Sequence, residues 1–186
     1  PPYGKRILLD NSWFKTLLGE NVSLVTQGID CLDETGIRTA DGQHRAADVI
    51  VYSTGFKMTE MASRLNISGR GGVQLADVWA DENLTAYLGI TVPEFPNFFI
   101  MQGPNTGLGH GGSAIFQAEC QANYIAGCLE NIFANDLVSM DVKPEPLADW
   151  VAKVDAEHEQ MIWSHPGMST YYRNKAGRVF SVIPFR

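Results

Sequence analysis

The run from Phe95 to Phe133 constrains this chain more than any other, because a short apolar segment, a glycine-rich turn and a long helical pattern follow one another directly. Asn97-Phe98-Phe99-Ile100-Met101 is apolar at every position after the asparagine, the pattern of a strand covered on both faces. It stops at Gly103-Pro104-Asn105-Thr106. Beyond Gly107-Leu108-Gly109-His110-Gly111-Gly112, small or apolar residues recur at Ile115, Ala118, Ala122, Ile125, Ala126, Leu129, Ile132 and Phe133, spaced for one face of a helix beginning near Ser113. The first N–H groups of such a helix carry partial positive charge, and glycines let a flat ligand approach the backbone. A strand feeding a helix through glycines therefore reads as a ligand-binding junction.

Two plainer readings of the same loop stay open. Gly107-x-Gly109-x-x-Gly112 fits the spacing of a dinucleotide fingerprint, which makes an NAD-binding, dehydrogenase-like module one alternative. That motif should follow its strand at once, however, and here Gly103-Pro104-Asn105-Thr106 intervenes. The other alternative is a non-catalytic interaction module in which the glycines serve only a tight turn.

Composition narrows the class. With 186 residues, 45% hydrophobic and 19% charged, the chain can bury one sizeable core. A net charge of −7 argues against nucleic acid and anionic membrane as partners, and no run approaches the roughly 18 apolar residues of a membrane span. The opening Pro1-Pro2-Tyr3-Gly4-Lys5-Arg6 has no signal-peptide character and looks like a cut within a longer polypeptide. Cys31, Cys120 and Cys128 suggest no disulfide framework, since Cys120 and Cys128 would stand about 12 Å apart along one helix. A cytoplasmic, reducing location is expected. The four histidines form no metal pattern, and neither a Gly-x-Ser-x-Gly elbow nor a phosphate loop ending in Gly-Lys is present.

In chain order, Asp10-Asn11-Ser12 caps a short helix through Trp13, Phe14, Leu17 and Leu18 that Gly19 ends. Val22–Val25 alternates like a strand. Cys31 to Thr39, split by Glu34-Thr35-Gly36, reads as a hairpin, and Ala40-Asp41-Gly42-Gln43 as the next turn of a β-meander. Ala47 to Tyr52 is a second buried-strand candidate ending on Ser53-Thr54-Gly55-Phe56. Between 57 and 94 only loops and short extended pieces at 73–75 and 88–90 are legible. A strand is expected at 138–142. A second helix should start at Pro144 with Leu147, Trp150, Val151, Val154, His158, Met161 and Ile162 on one side, and a hairpin at 171–180 closes the chain.

Four parts taken together, Lys5-Arg6, Asp48 leading into Thr54-Gly55-Phe56, Phe95 through Gly103-Pro104-Asn105-Thr106 and Leu108-Gly109-His110, and Tyr171-Tyr172-Arg173-Asn174, carry a further inference. In this order they resemble the C-terminal third of the Baeyer–Villiger-type flavin-containing monooxygenases, particularly the 4-hydroxyacetophenone and cyclohexanone monooxygenase branch. The resemblance implies an α/β fold: the C-terminal part of a dinucleotide-binding (FAD) domain, with a mixed sheet, a β-meander and two main helices. Residues 1–186 would be one unit completing a discontinuous FAD domain, with 1–20 returning from the NADPH domain. It implies FAD and NADPH as cofactors, a ketone or heteroatom substrate, and insertion of one atom of O2 through a flavin C4a-peroxide. By the same resemblance Arg6 is the catalytic arginine and Lys5 lies near the extra phosphate of NADPH. Thr54, Gly55, Phe56, Gly103, Pro104, Asn105, Thr106 and Leu108 would approach the flavin. Thr170 departs from the pattern, standing where the family has a tryptophan near the nicotinamide. The family's N-terminal fingerprints do not occur in this sequence, so the isolated chain is expected to be inactive and open to self-association through unpaired sheet edges.

Overall fold

The computed structural model describes residues 2–61, 65–109 and 111–185. The chain divides into two compact units, Leu8–Phe56 and the combination of Pro1–Ile7 with Lys57–Arg186.

The smaller unit is built on local signals. Helix α1 spans Trp13–Leu17, and Asp10 rather than Ser12 caps it: its Oδ1 accepts from the N–H groups of Ser12, at 2.7 Å, and Trp13. The meander follows as β1 (Ile29–Asp33), β2 (Gly36–Thr39) and β3 (His44–Ala46), antiparallel in the order β1-β2-β3. Cys31 pairs with Arg38, and Arg38 with His44, with an irregularity between Ile29 and Cys31. The β1–β2 turn is tied by Asp33 Oδ1, which accepts from Thr35 N at 2.9 Å and Thr35 Oγ1 at 2.8 Å and meets His44 Nε2 at 3.1 Å. The Thr35 N–H, then its hydroxyl, then His44 hold the Asp33 carboxyl well below the usual carboxylate range.

The larger unit keeps its core in the region that sequence alone left opaque. Helix α2 (Leu75–Val78) is a single turn that seats Leu75, and Trp79 follows, its Nε1 donating to Thr85 O at 2.9 Å. Leu75, Trp79, Leu84, Val92, Phe95 and Phe180 form one apolar cluster. Trp163, Tyr172, Val179 and Val182 form a second. Helix α3 spans Ala114–Ala134, with Ser113 as N-cap accepting from Phe116 N at 3.2 Å. Helix α4 spans Pro144–His158 and buries Val154 and His158, one turn apart, as its periodicity requires. The tail makes the expected hairpin through the Arg173–Val179 bridge and Asn174 N donating to Arg178 O at 2.9 Å.

Among the described residues none of the four expected strands at 22–25, 48–52, 97–101 and 138–142 forms. A continuous apolar run marks a strand only where neighbours pair with its backbone, and a sequence pattern does not supply them. Val49 and Val51 are instead exposed. At 97–101 the extended run is broken at its first residue, because Asn97 has φ +60°. Its amide then does a strand's pairing with the next segment: Asn97 N donates to Met140 O at 3.0 Å, and its side chain accepts from Met140 N at 3.0 Å and donates to Val138 O at 3.2 Å. The extended piece expected at 73–75 forms at Val73 and Gln74, where Gln74 bridges Ser68 just before α2 begins at Leu75, whereas 88–90 is a tight turn, with Leu88 at φ +54° and Gly89 at +70°.

The inward face of α3 also differs from the periodicity. Gln121 and Ile132 are buried, and Tyr124 and Cys128 half-buried, whereas Ile115, Leu129 and Phe133 are exposed. Gln121 faces inward for a polar reason, its Oε1 accepting from Gln102 N at 2.9 Å.

Candidate functional site

A cleft of about 850 Å³ opens where the glycine loop meets the start of α3. Leu108, Gly109, Gly111 and Gly112 line it together with mostly apolar side chains, among them Phe116, Trp163 and Phe185. The geometry needs glycine at several points, each for its own reason. Gly112 has φ +95° immediately before the N-cap, and a Cβ on Gly109 would stand 2.5 Å from the Trp163 ring. A Cβ on Gly107 would meet Ser181 O at 2.8 Å, because the loop runs beside the tail: Gly107 N donates to Ser181 O at 2.8 Å and Ile183 N to Gly107 O at 2.9 Å. The fingerprint-like spacing thus has a packing explanation at two of its three glycines.

The N-terminal strap crosses this cleft. Tyr3 and Ile7 line it, and Trp163 Nε1 donates to Tyr3 O at 3.2 Å. Arg6 lies between them, its Nη1 donating to the Leu108 carbonyl and its backbone N–H to the Tyr171 hydroxyl at 2.9 Å. The structure therefore brings together Arg6 and Leu108, 102 positions apart. Lys5 is exposed on the same strap.

The turn Gly103-Pro104-Asn105-Thr106 is buried and bound into the fold. Asn105, at φ +57°, donates through Nδ2 to Val179 O at 2.9 Å and Val182 O at 3.3 Å, while its backbone N–H donates to Phe180 O at 2.7 Å. Thr106 Oγ1 donates to Gly103 O at 2.7 Å. A Cβ on Gly103 would lie 2.5 Å from Gly89 O. These side chains hold the loop in place, and what they leave for a ligand is backbone. Thr54, Gly55 and Phe56 belong to the smaller unit, where all three are exposed and Gly55 has φ +84°. His110 lies outside the described residues.

Arg178, which the sequence reading did not single out, and Tyr172, from the Tyr171-Tyr172-Arg173-Asn174 motif, also matter here. Arg178 is a clamp: Nε meets Asp155 Oδ1 at 2.9 Å, Nη1 donates to Leu84 O at 3.1 Å and Nη2 to Asn105 Oδ1 at 3.1 Å. Tyr172 packs edge-on to Trp163, with ring centroids 5.9 Å apart, and accepts from the Tyr171 hydroxyl at 3.2 Å. Burial, then the neighbouring Tyr171, push the Tyr172 phenol up to about 12, against the opposing charge of Arg6. A folded value above the ordinary phenol range makes the protonated form the one that folding favours. The resulting stability is complete below about pH 10 and is lost as pH rises toward about 12. Thermal unfolding followed across that window should show a steeper alkaline fall than in Tyr172→Phe; equal slopes would contradict the assignment.

No family model matches the chain. A monooxygenase of Sinorhizobium fredii, y4iD, is 40% identical over 186 residues, covering the whole chain and 28% of that protein. A Baeyer–Villiger monooxygenase of Streptomyces coelicolor is 33% identical over 97% of the chain and 34% of its own length. The solved structure of OTEMO in complex with FAD and NADP superimposes with a TM-score of 0.83 at 26% identity, covering 97% of this chain and 34% of that one. The chain thus spans about a third of the length of the relatives it matches. It is a homologue of the Baeyer–Villiger-type flavin monooxygenases, corresponding to a part of them.

Proposed function

We propose that this chain completes the ring end of the flavin site in an FAD- and NADPH-dependent monooxygenase that oxygenates a ketone or a heteroatom. The observation that carries the reading is the single cleft in which the glycine loop, the first turns of α3 and the strap bearing Arg6 meet. The fit to a flavin is physical. A cleft of about 850 Å³ with apolar walls suits a large flat ring, glycine backbone allows close approach, and a helix N-terminus favours an electron-rich edge. FAD, reduced by NADPH, would supply the chemistry that passes one atom of O2 to the substrate.

The chain's own residues have separable roles in this proposal. Arg6, tethered to the Leu108 carbonyl and the Tyr171 hydroxyl, presents a permanent positive charge where negative charge develops. Lys5 serves as a point charge for the extra phosphate of NADPH. Gly103, Pro104, Asn105 and Thr106 fix the backbone that leads to Leu108, and Thr54, Gly55 and Phe56 contribute a second flavin contact from the smaller unit. Residues 1–186 would complete a discontinuous FAD domain. A net charge of −7 keeps nucleic acid outside this reading, and free thiols at Cys31, Cys120 and Cys128 suit a reducing cytoplasm. Among the described residues no helix is long and apolar enough to cross a membrane.

The test is the colour and turnover of the full protein. It should purify yellow, with absorbance near 450 nm matching one flavin per chain, and should oxidise NADPH faster when a cyclic ketone or a sulfide is added. A colourless protein that takes up no FAD on refolding would overturn the proposal.

A further inference from the structure

Arg6 can act at the cleft only from a fixed position, yet residues 2–7 form no helix or strand that would fix it. Tyr3 even takes φ +69°, a conformation that a residue with a side chain keeps where its surroundings hold it. The holding comes from the segment that follows α4, from Trp163 to Tyr171. Trp163, 3% exposed, donates from Nε1 to Tyr3 O at 3.2 Å, and the Tyr171 hydroxyl accepts from Arg6 N at 2.9 Å. Between these two points the strap and the segment touch closely: a Cβ on Gly4 would stand 2.5 Å from Ser169 O and 2.7 Å from Met168 Sδ.

The segment is itself tied down. Met168 is buried, its N–H donates to His165 O at 2.9 Å, and its carbonyl accepts from Arg173 Nη2. Thr170 Oγ1 accepts from Tyr172 N at 3.1 Å, which fixes the turn that carries Tyr171. The Tyr171 ring packs on Tyr172, with centroids 4.5 Å apart, and its hydroxyl donates to the Tyr172 hydroxyl at 3.2 Å. With its proton committed to Tyr172, the Tyr171 oxygen offers its lone pairs to the Arg6 N–H. Tyr172 packs in turn against Trp163, so both holding points of the strap rest on one apolar cluster.

We propose that Tyr171 is the positioning residue for Arg6: its hydroxyl sets where the guanidinium stands beside the Leu108 carbonyl, with Trp163 as the second anchor of the strap. Tyr171 holds the backbone of Arg6, so the guanidinium keeps its donors for the cleft. The role rests on the flavin reading, in which Arg6 faces developing negative charge. A misplacement of about 1 Å is enough to forfeit much of what such a group contributes, so a loosened strap oxidises NADPH without forming product.

Tyr171→Phe in the full protein tests this, because it removes the hydroxyl and keeps the ring. Hydrogen exchange of the peptide spanning residues 3–7 needs no flavin as a readout, and it should quicken about three- to tenfold on loss of one neutral hydrogen bond. Product formed per NADPH oxidised should fall by about the same factor, with FAD content and melting temperature retained. Exchange that does not quicken would overturn the anchoring. Quickened exchange with unchanged coupling of NADPH oxidation to product would overturn the positioning role. A full protein that binds no FAD would overturn the flavin reading and the role with it, while the exchange readout would still report whether Tyr171 holds the strap.

Discussion

Replacing Arg6 by alanine in the flavin-loaded protein is expected to lower oxygenation of a ketone or sulfide by about 10²–10³-fold while FAD stays bound. The magnitude is that of removing one well-placed donor from a site where charge develops during reaction. Arg6 is exposed on the strap, and its guanidinium holds the Leu108 carbonyl, so a structural effect must be told apart from a chemical one. Lysine does so. It keeps the charge but lacks the planar fork that can grip a carbonyl and face a second group at once. Arg6→Lys should therefore retain the melting temperature and still lose most product, with NADPH oxidation continuing uncoupled. Product formation within about tenfold of the unmodified enzyme in both variants would remove Arg6 from the chemistry.

Truncating Arg178 should damage the fold about as much as emptying a core position. Its side chain is only 15% exposed and reaches Asp155 on α4, the Leu84 carbonyl and Asn105 in the buried turn. Arg178→Ala leaves the carbonyl and the amide oxygen without their charged donor and is expected to cost about 3 kcal/mol in urea unfolding. Asp155 is 40% exposed, so Asp155→Ala should cost only about 1 kcal/mol, because water replaces much of what the pair supplied. The asymmetry is the point of the experiment. Equal losses from both variants would mean that the ion pair, and not the three-way clamp, carries the stability. Loss of the clamp should also loosen the turn at Asn105, which leads into the glycine loop of the cleft.

These two arginines show where sequence reading succeeded and where it stopped. Elements whose signals are local were legible: the Ser113 cap and the start of α3, Pro144 at the start of α4, the meander turns at 34–35 and 40–43, and the hairpin around Gly177. Each depends on residues within a few positions of one another. The apolar runs at 48–52 and 97–101 misled because hydrophobicity records a demand for cover and says nothing about which segment meets it. The main cluster was illegible for a related reason, since Leu75, Leu84, Val92 and Phe180 meet through turns with Leu88, Gly89 and Asn97 at positive φ rather than through regular elements. At the cleft, the glycine loop and Arg6 could be named from motifs, but their contact across 102 positions could not be deduced from either. Arg178 gave no sign at all. It sits in an ordinary hairpin, and its three partners come from three different parts of the chain.

The uncovered side of α3 bears on the calorimetry of this chain. Ile115 is 75% exposed, Phe116 66% and Phe133 77%, so these side chains are hydrated before unfolding almost as fully as after it. Heat capacity rises on unfolding only in proportion to apolar surface newly wetted, and an already hydrated ring adds nothing to it. The stability curve of the chain against temperature is accordingly flatter than its length implies, with an increment per residue below the usual 12–15 cal/mol/K or so. Any neighbour that covers this helix face restores the missing curvature, and the increment then measures how much of α3 the neighbour has dried.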